Sequence, residues 1–292
     1  MNAKLTRPLW PSLLLSLLLA PLAAQVHAQA SPTLHKIAES GTISLGHRES
    51  SIPFSYYDDK QQVVGYSHEL MLKAVDAIKA ELKKPNLAVK LVPVTSQNRI
   101  PLVLNGSVDI ECGSTTNNAT RQKDVSFAVT TYVEEVRIAV KANSGITSIA
   151  QLKDKSVATT TGTTSVQLLR KHERATGVDF KEVFGKDHAD SFLLLESGRA
   201  EAFVMDKSIL AANIAKSKNP GEFKILDEVL SVEPIACMLR KDDPAFLKAV
   251  DDSIKRQIAD GSLAKLYDKW FMQPIPPTNT KVGLPASDAT KA

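Results

Sequence analysis

The chain has 292 residues, 43% of them hydrophobic and 23% charged, with a formal net charge of +4. Removing a leader that carries Lys4 and Arg7 leaves +2, too small an excess to argue for a nucleic-acid partner, and no basic run with interleaved aromatics occurs. The two cysteines, without clustered histidines, do not make a tetrahedral zinc site, and neither a structural metal nor a cofactor is expected.

The first segment reads as an export signal. Lys4 and Arg7 form a basic start, Leu13–Ala20 an apolar core broken only by Ser16, and Val26-His27-Ala28 offers the residues that a signal peptidase reads. The apolar run falls well short of the roughly 20 residues that span a bilayer. Residues 1–28 are therefore expected to be a signal peptide cleaved after Ala28. No cysteine stands near that point, so no lipid anchor is expected, and the mature protein reads as exported and soluble. The remaining length of about 264 residues exceeds one typical core and suggests two lobes. In an oxidising compartment Cys112 and Cys237 read as a disulfide, the alternative being two separate buried thiols.

Strand and helix patterns then alternate. Thr42–Gly46 is a short strand. Ser67 is placed to cap a helix whose apolar positions Leu70, Met71, Ala74, Val75, Ile78 and Leu82 follow a helical period, and Pro85 stops it. Leu87–Val94 reads as a strand, Arg99–Asn105 as a short helix ended by Gly106, and Val108–Cys112 as the next strand. A second unit begins after Tyr132, with strands at Val136–Lys141 and Ser156–Thr160. Thr163, Thr164 and Ser165 open a helix that Gly177 ends. Asp190 is read as the cap of another helix, Ser191–Ser197, and a strand Glu201–Met205 runs up to Asp206. Asn105-Gly106-Ser107-Val108-Asp109 and Ser197-Gly198-Arg199-Ala200-Glu201 echo one another as helix–glycine–strand junctions. Asp243 and Pro244 start a helix with Phe246, Val250, Ile254 and Ile258 on one stripe, and a last helix carries Leu263, Leu266, Trp270 and Phe271. From Pro276 the chain is polar and proline-containing and is expected to lie loosely on the surface. The order is that of an α/β fold with largely parallel sheets.

Polar residues cluster where these short apolar runs end, the positions at which a chain leaves a sheet and faces a ligand. Gly46-His47-Arg48-Glu49-Ser50-Ser51-Ile52-Pro53-Phe54 is followed by Thr95-Ser96-Gln97-Asn98-Arg99, by Cys112-Gly113-Ser114-Thr115-Thr116-Asn117-Asn118, and by Arg121. Guanidinium groups grip carboxylates through two parallel charge-assisted bonds. The start of the helix at Gly162-Thr163-Thr164-Ser165 offers unpaired N–H groups and a favourable dipole to an anion, although a plain capped helix has the same letters. It is not a Walker loop, because no Lys-Ser or Lys-Thr follows the glycine.

These segments, with Lys186-Asp187-His188-x-Asp190-Ser191, resemble the periplasmic glutamate/aspartate-binding proteins of ABC uptake systems, solute-binding protein family 3, over nearly the whole mature chain. The resemblance implies a two-lobed type 2 periplasmic-binding fold, with a ligand cleft between lobes and two hinge crossings near Val129–Val133 and Leu230–Ala236. Residues 29–131 and 231–292 would form the first lobe and residues 132–230 the second. It implies that Arg121, with Thr163, Thr164 and Ser165, takes the ligand α-carboxylate. Asp206 takes the ammonium, with Ser114 and Thr116 adding contacts to either group. Arg48, Ser96, Arg99 and His188 take the side-chain carboxylate. The expected partners are L-glutamate or L-aspartate and an inner-membrane ABC permease, with the protein a monomer. A periplasmic cyclohexadienyl (prephenate/arogenate) dehydratase on the same fold is the alternative, with Glu49 and His188 as possible acids. His188, Asp190 and Ser191 spell a catalytic triad, but neighbours on one helix cap lack the converging geometry that a triad needs.

Overall fold

The computed structural model describes residues 31–291, and the expected leader lies outside them. Helix α1 (Pro32–Ser40) is capped by the Ser31 hydroxyl, which accepts from the Leu34 amide at 3.0 Å. Strand β1 (Thr42–His47) follows, then a small sheet of β2 (Ser50–Ser51), β3 (Ser55–Tyr57) and β4 (Val63–Val64). Helix α2 (Tyr66–Glu81) buries Leu70, Met71, Ala74, Val75 and Ile78, the stripe its periodicity predicts. Its start differs from the expectation. Ser67 does not cap it but donates to the Gly113 carbonyl at 2.9 Å. Gly65 stands at the cap with φ +128°, where a Cβ would lie 2.4 Å from the Phe54 carbonyl oxygen, so no side chain fits there.

The chain continues through β5 (Ala88–Pro93), α3 (Arg99–Leu104), β6 (Ile110–Glu111) and β7 (Val125–Phe127). Next come β8 (Tyr132–Lys141), β9 (Ser156–Thr160), α4 (Thr164–Thr176), β10 (Lys181–Gly185), α5 (His188–Glu196), β11 (Ala202–Asp206), α6 (Lys207–Lys216), β12 (Phe223–Ile225) and β13 (Ser231–Ile235). It closes with β14 (Met238–Arg240), α7 (Pro244–Ala259), α8 (Ser262–Tyr267), β15 (Pro274–Ile275), β16 (Thr280–Lys281) and α9 (Asp288–Lys291).

Two mixed sheets result. The first has the order β5-β1-β6-β14-β7, with β1 parallel to β5 and β6, and β14 antiparallel to β6 and β7. The second runs β10-β9-β11-β8-β12, with β13 also paired to β8, and β9 parallel to both β10 and β11. The junction α3 to β6 and the junction α5 to β11 occupy matching places, which is where the sequence echo falls. The chain passes from the first sheet to the second between β7 and β8 and returns between β13 and β14. The two passages run side by side, with the Thr131 amide donating to the Ile235 carbonyl at 2.9 Å.

Three further expectations are corrected. Helix α5 begins at His188, capped by Asp187, whose carboxylate accepts from the His188 amide. Asp190 sits inside the first turn, where its charge suits the helix dipole. On α7, Asp243 caps as expected, accepting from Phe246 N at 3.1 Å, and Phe246, Val250 and Ile254 are buried. Ile258 is half exposed, because Gln257 takes the inward position of the last turn. The tail from Pro276 is not loose. Tyr56 donates to the Pro276 carbonyl at 2.8 Å and Tyr267 to the Leu284 carbonyl at 3.0 Å. The Thr290 hydroxyl meets the Val133 amide at 3.1 Å. Phenolic donors thus satisfy carbonyls of a segment whose prolines lack N–H groups of their own.

An aromatic cluster fixes the first passage between the sheets. Tyr132, the first residue of β8, stacks on Phe271 and Tyr267 with centroids 5.1 and 6.1 Å away, and Phe54 meets it edge-on. Cys112 and Cys237 form a disulfide that joins the ends of β6 and β14 across a separation of 125 residues. Changing both cysteines to serine is expected to lower the unfolding free energy by roughly 2–4 kcal/mol, read from the urea midpoint. An unchanged midpoint would show that the bond adds no stability.

Candidate functional site

The expected site residues leave their sheets at strand ends, as the fold dictates. Arg48 follows β1, Ser96 and Arg99 follow β5, Ser114 and Thr116 follow β6, and Arg121 opens a short 3-10 turn. From the other side come Thr163, Thr164 and Ser165 after β9, His188 after β10, and Asp206 at the end of β11. All are buried, the most exposed being Arg121 at 9%. The two sides touch. Gly162, at φ +81°, lies so close to the first lobe that a Cβ there would stand 2.6 Å from Gln97 Cα. The Ala189 amide also donates to the Ser50 hydroxyl at 3.2 Å across the cleft.

Arg48 anchors one end. Its Nη2 donates to Asp187 Oδ1 at 2.7 Å and lies 3.4 Å from His188 Nε2, while its Nε and Nη1 have no partner. A guanidinium only donates, so His188 Nε2 is the acceptor and Nδ1 carries the proton, facing the Thr160 hydroxyl at 3.0 Å. That hydroxyl lies 2.8 Å from Ser191 Oγ. Burial, then the Arg48 charge, push His188 down to about 3, so it brings no positive charge to the site. Arg99 donates to the Thr115 hydroxyl at 2.7 Å, which donates in turn to Glu111 Oε2 at 2.6 Å, and Arg99 Nε is left unpartnered. Burial and the Arg121 guanidinium both push Arg99 down from the usual arginine range.

Arg121 donates to the Thr116 carbonyl at 2.9 Å and reaches the Gly162 carbonyl at 3.5 Å. The three hydroxyls at the start of α4 diverge. Thr163 donates to the Thr160 carbonyl at 2.7 Å, Thr164 to Glu233 Oε2 at 2.8 Å, and Ser165 Oγ has no partner. No side chain caps α4, so its first N–H groups stay free for an anion. The Ser96 hydroxyl is likewise buried and unpartnered. Ser114 Oγ only approaches Ser51 Oγ, at 3.4 Å. Asp206 is pushed well above the usual carboxylate range by burial and by Glu134 and Glu233, with Arg99 and Arg121 opposing.

Buried guanidinium N–H groups without acceptors are costly, and an ion with paired oxygens removes that cost at Arg48 and Arg99. The free start of α4 beside Arg121 suits a second anionic group, and the carboxylates around Asp206 suit a cation. The chemistry of these groups matches a small molecule with two anionic ends and one cationic group. Several contributors escape a reading of the sequence. Asp187 had a signal, since it stands in the Lys-Asp-His motif before a helix. Glu111, Glu134 and Glu233 had none, Glu111 and Glu233 being single acids of short strands and Glu134 half of an acidic pair that reads as solvated, and Gly162 looks like any turn glycine.

Residues 43–273 match the bacterial extracellular solute-binding proteins, family 3. The chain belongs to that family. It is 50% identical over 263 residues to the glutamate/aspartate import solute-binding protein of Escherichia coli (strain K12), covering 90% of this chain and 87% of the relative. It is 47% identical to the L-glutamate/L-aspartate-binding protein of Pseudomonas aeruginosa, over 96% and 94%. Among solved structures, a mutant of ArgBP from T. maritima superposes with a TM-score of 0.73 at 25% identity, covering 82% of this chain and 100% of the other. An ancestral amino-acid-binding protein described as a precursor of cyclohexadienyl dehydratase gives a TM-score of 0.69 at 31% identity, over 82% and 99%. The fold is that of the type 2 periplasmic binding proteins, and the solute-binding protein resembles transport receptors rather than enzymes.

Two outcomes follow for the solute-binding protein. Gly162→Ala is expected to hold the lobes apart, read as a larger radius of gyration in small-angle scattering than the parent at saturating solute. Equal radii would show that the contact with Gln97 does not limit closure. His188 lies below its unfolded value of 6.5, so it contributes stability that is present above pH 6.5 and lost as pH falls toward 3. His68, which burial pushes down to about 4, adds to the same acid limb. His188→Gln should flatten that limb in urea unfolding measured across pH, and an unchanged slope would mean that His188 is charged in the native protein.

Proposed function

We propose that this solute-binding protein captures L-glutamate or L-aspartate in the periplasm by hinge closure and delivers it, as a monomer, to an inner-membrane ABC permease. One observation carries the ligand: two buried guanidiniums, Arg48 and Arg99, present N–H groups with no protein acceptor. A neutral amide offers them one carbonyl, whereas a carboxylate offers two charged oxygens. The names of the E. coli and P. aeruginosa relatives support the same ligand pair.

In this reading the side-chain carboxylate meets Arg48, Arg99 and the Ser96 hydroxyl, with His188 as the neutral neighbour that holds Arg48 in place. The α-carboxylate meets Arg121, the N–H groups of Thr164 and Ser165, and the free Ser165 hydroxyl. The ammonium meets Asp206, with Ser114 and Thr116 beside it. The moving bodies are residues 29–131 with 231–292, and residues 132–230. Because the ligand touches both, it stabilises the closed arrangement preferentially; periplasmic binding proteins are themselves the standard illustration of hinge closure. The dehydratase alternative is less well supported. Glu49 is exposed and His188 faces Arg48, so neither is set to act as an acid on a substrate ring.

Isothermal titration of the mature chain, unfolded and refolded to remove carried ligand, tests this against glutamate, aspartate, glutamine, prephenate and arogenate. Stoichiometric binding of glutamate or aspartate without product is expected, and product from prephenate or arogenate would overturn the reading. Arg99→Ala should weaken glutamate and aspartate more than about tenfold while affecting glutamine much less. Equal losses for all three would remove Arg99 from the side-chain role.

A further inference from the structure

The amino-group end of the cleft contains a carboxylate that the ligand reading does not use. Glu233 lies on β13, the strand that carries the chain back between the lobes, and it is buried. Its Oε2 accepts from two hydroxyls, Thr116 at 2.6 Å and Thr164 at 2.8 Å. Thr116 follows β6 of the first sheet, and Thr164 opens α4 above the second. One carboxylate oxygen therefore joins a residue of each lobe through the crossing strand. The loop that carries Thr116 is pinned to the same strand, with Asn117 N donating to the Pro234 carbonyl at 2.8 Å and Ala236 N to the Thr115 carbonyl at 3.1 Å.

The register makes this placement costly. Glu233 pairs directly with Glu134 across β13 and β8, and Asp206 pairs with Val136, two residues along β8. Residues two apart on a strand share a face, and so do directly paired residues. Asp206, Glu134 and Glu233 therefore stand on one face of three adjacent strands. Like charges opposite one another destabilise a sheet, and each acid needs compensation. Glu134 has it from the Ser208 hydroxyl and from the Ser208 and Glu135 amides. Glu233 has it from the two threonines. A threonine hydroxyl has a single proton, so while Thr116 donates its hydrogen bond to Glu233, that oxygen can face a ligand only as an acceptor.

We infer that Glu233 is a positioning residue for ammonium recognition: by accepting the Thr116 hydroxyl's hydrogen bond it leaves the Thr116 oxygen to face the ligand as an acceptor. It also adds a further carboxylate to the face against which the amino group rests. The inference rests on the ligand being an acidic amino acid. It extends that reading to selectivity, because a dicarboxylate with no ammonium meets a row of acceptors and acids with nothing to donate to them. The Thr164 hydroxyl, held by the same oxygen, leaves α4 to meet the α-carboxylate with its N–H groups.

Calorimetry with L-glutamate and with glutarate, on the parent, Glu233→Gln, Thr116→Val and the double variant, tests this. Glu233→Gln and Thr116→Val are each expected to weaken glutamate at least about tenfold. The double variant should be no weaker than the poorer single, since both remove one interaction. The preference for glutamate over glutarate should narrow at least about tenfold in each single. A merely structural role would weaken both ligands in proportion and leave the preference intact, which would overturn the assignment. So would additive losses, or a Glu233→Gln variant that binds like the parent. Should Glu233→Gln not fold, Thr116→Val carries the same expectation, and an unchanged preference overturns it. A parent that binds neither glutamate nor aspartate would overturn the ligand reading and this inference together, and is distinguishable because the failure precedes any substitution.

Discussion

Burying three guanidinium groups in one small space is the constraint on which the rest of the cleft depends. Arg48, Arg99 and Arg121 repel one another and lose their hydration, and the protein answers with too few acceptors to satisfy them. Asp187, Thr115 with Glu111, and the Thr116 and Gly162 carbonyls each hold one edge of a guanidinium. Arg48 Nε and Nη1 and Arg99 Nε are left buried without a partner. A core built that way is tolerable only if something anionic completes it, which makes ligand affinity and structural cost two sides of one arrangement. The lobes share the burden: Arg48 comes from one and its carboxylate partner Asp187 from the other, so bringing the lobes together also pairs the charge.

The opposite polarity is found a few residues away. Glu134 and Glu233 stand opposite one another on β8 and β13, the strands that carry the chain between lobes, with Asp206 on the neighbouring β11, and burial raises the Glu134 carboxyl to about 7. The cleft is thus divided into a cationic end built from loops and an anionic end built from strands. The guanidiniums arrive on loops from separate strand ends, whereas the register of β11, β8 and β13 fixes the three acids relative to one another.

Much of this was legible in the sequence. The arginines Arg48, Arg99 and Arg121 and the hydroxyl residues Ser96, Ser114, Thr116, Thr163, Thr164 and Ser165 were visible as a group, and the structure buries all of these. Helix α2 follows its apolar period, and α7 follows its own as far as Ile254. What stayed hidden depended on distant partners. Asp190 looked like a cap because a helix was visible after it, yet Asp187 holds the first amide, a difference that local pattern cannot resolve. Ser67 had the chemistry of a cap and was drawn away by the Gly113 carbonyl. Glu233 is a single acid in a short strand, and its value comes only from Thr116 and Thr164, which lie far off in the chain. The tail from Pro276 reads as solvent-exposed by composition, and it is held down by distant partners, the phenols of Tyr56 and Tyr267 and the Val133 amide.

The disulfide has a topological effect beyond the strands it staples. Cys112 follows β6 and Cys237 precedes β14 in the first sheet, with their Cα atoms 4.3 Å apart, and the ring they close holds the entire second sheet together with β7 of the first. The second lobe is therefore a cassette, entered and left through one narrow covalent gate. A cut in any of its exposed loops leaves the two fragments joined as a single molecule under oxidising conditions. Exchange of the second sheet for another would alter half of the cleft, and the incoming piece would have to keep an aromatic residue at Tyr132 to stack on Phe271 and Tyr267.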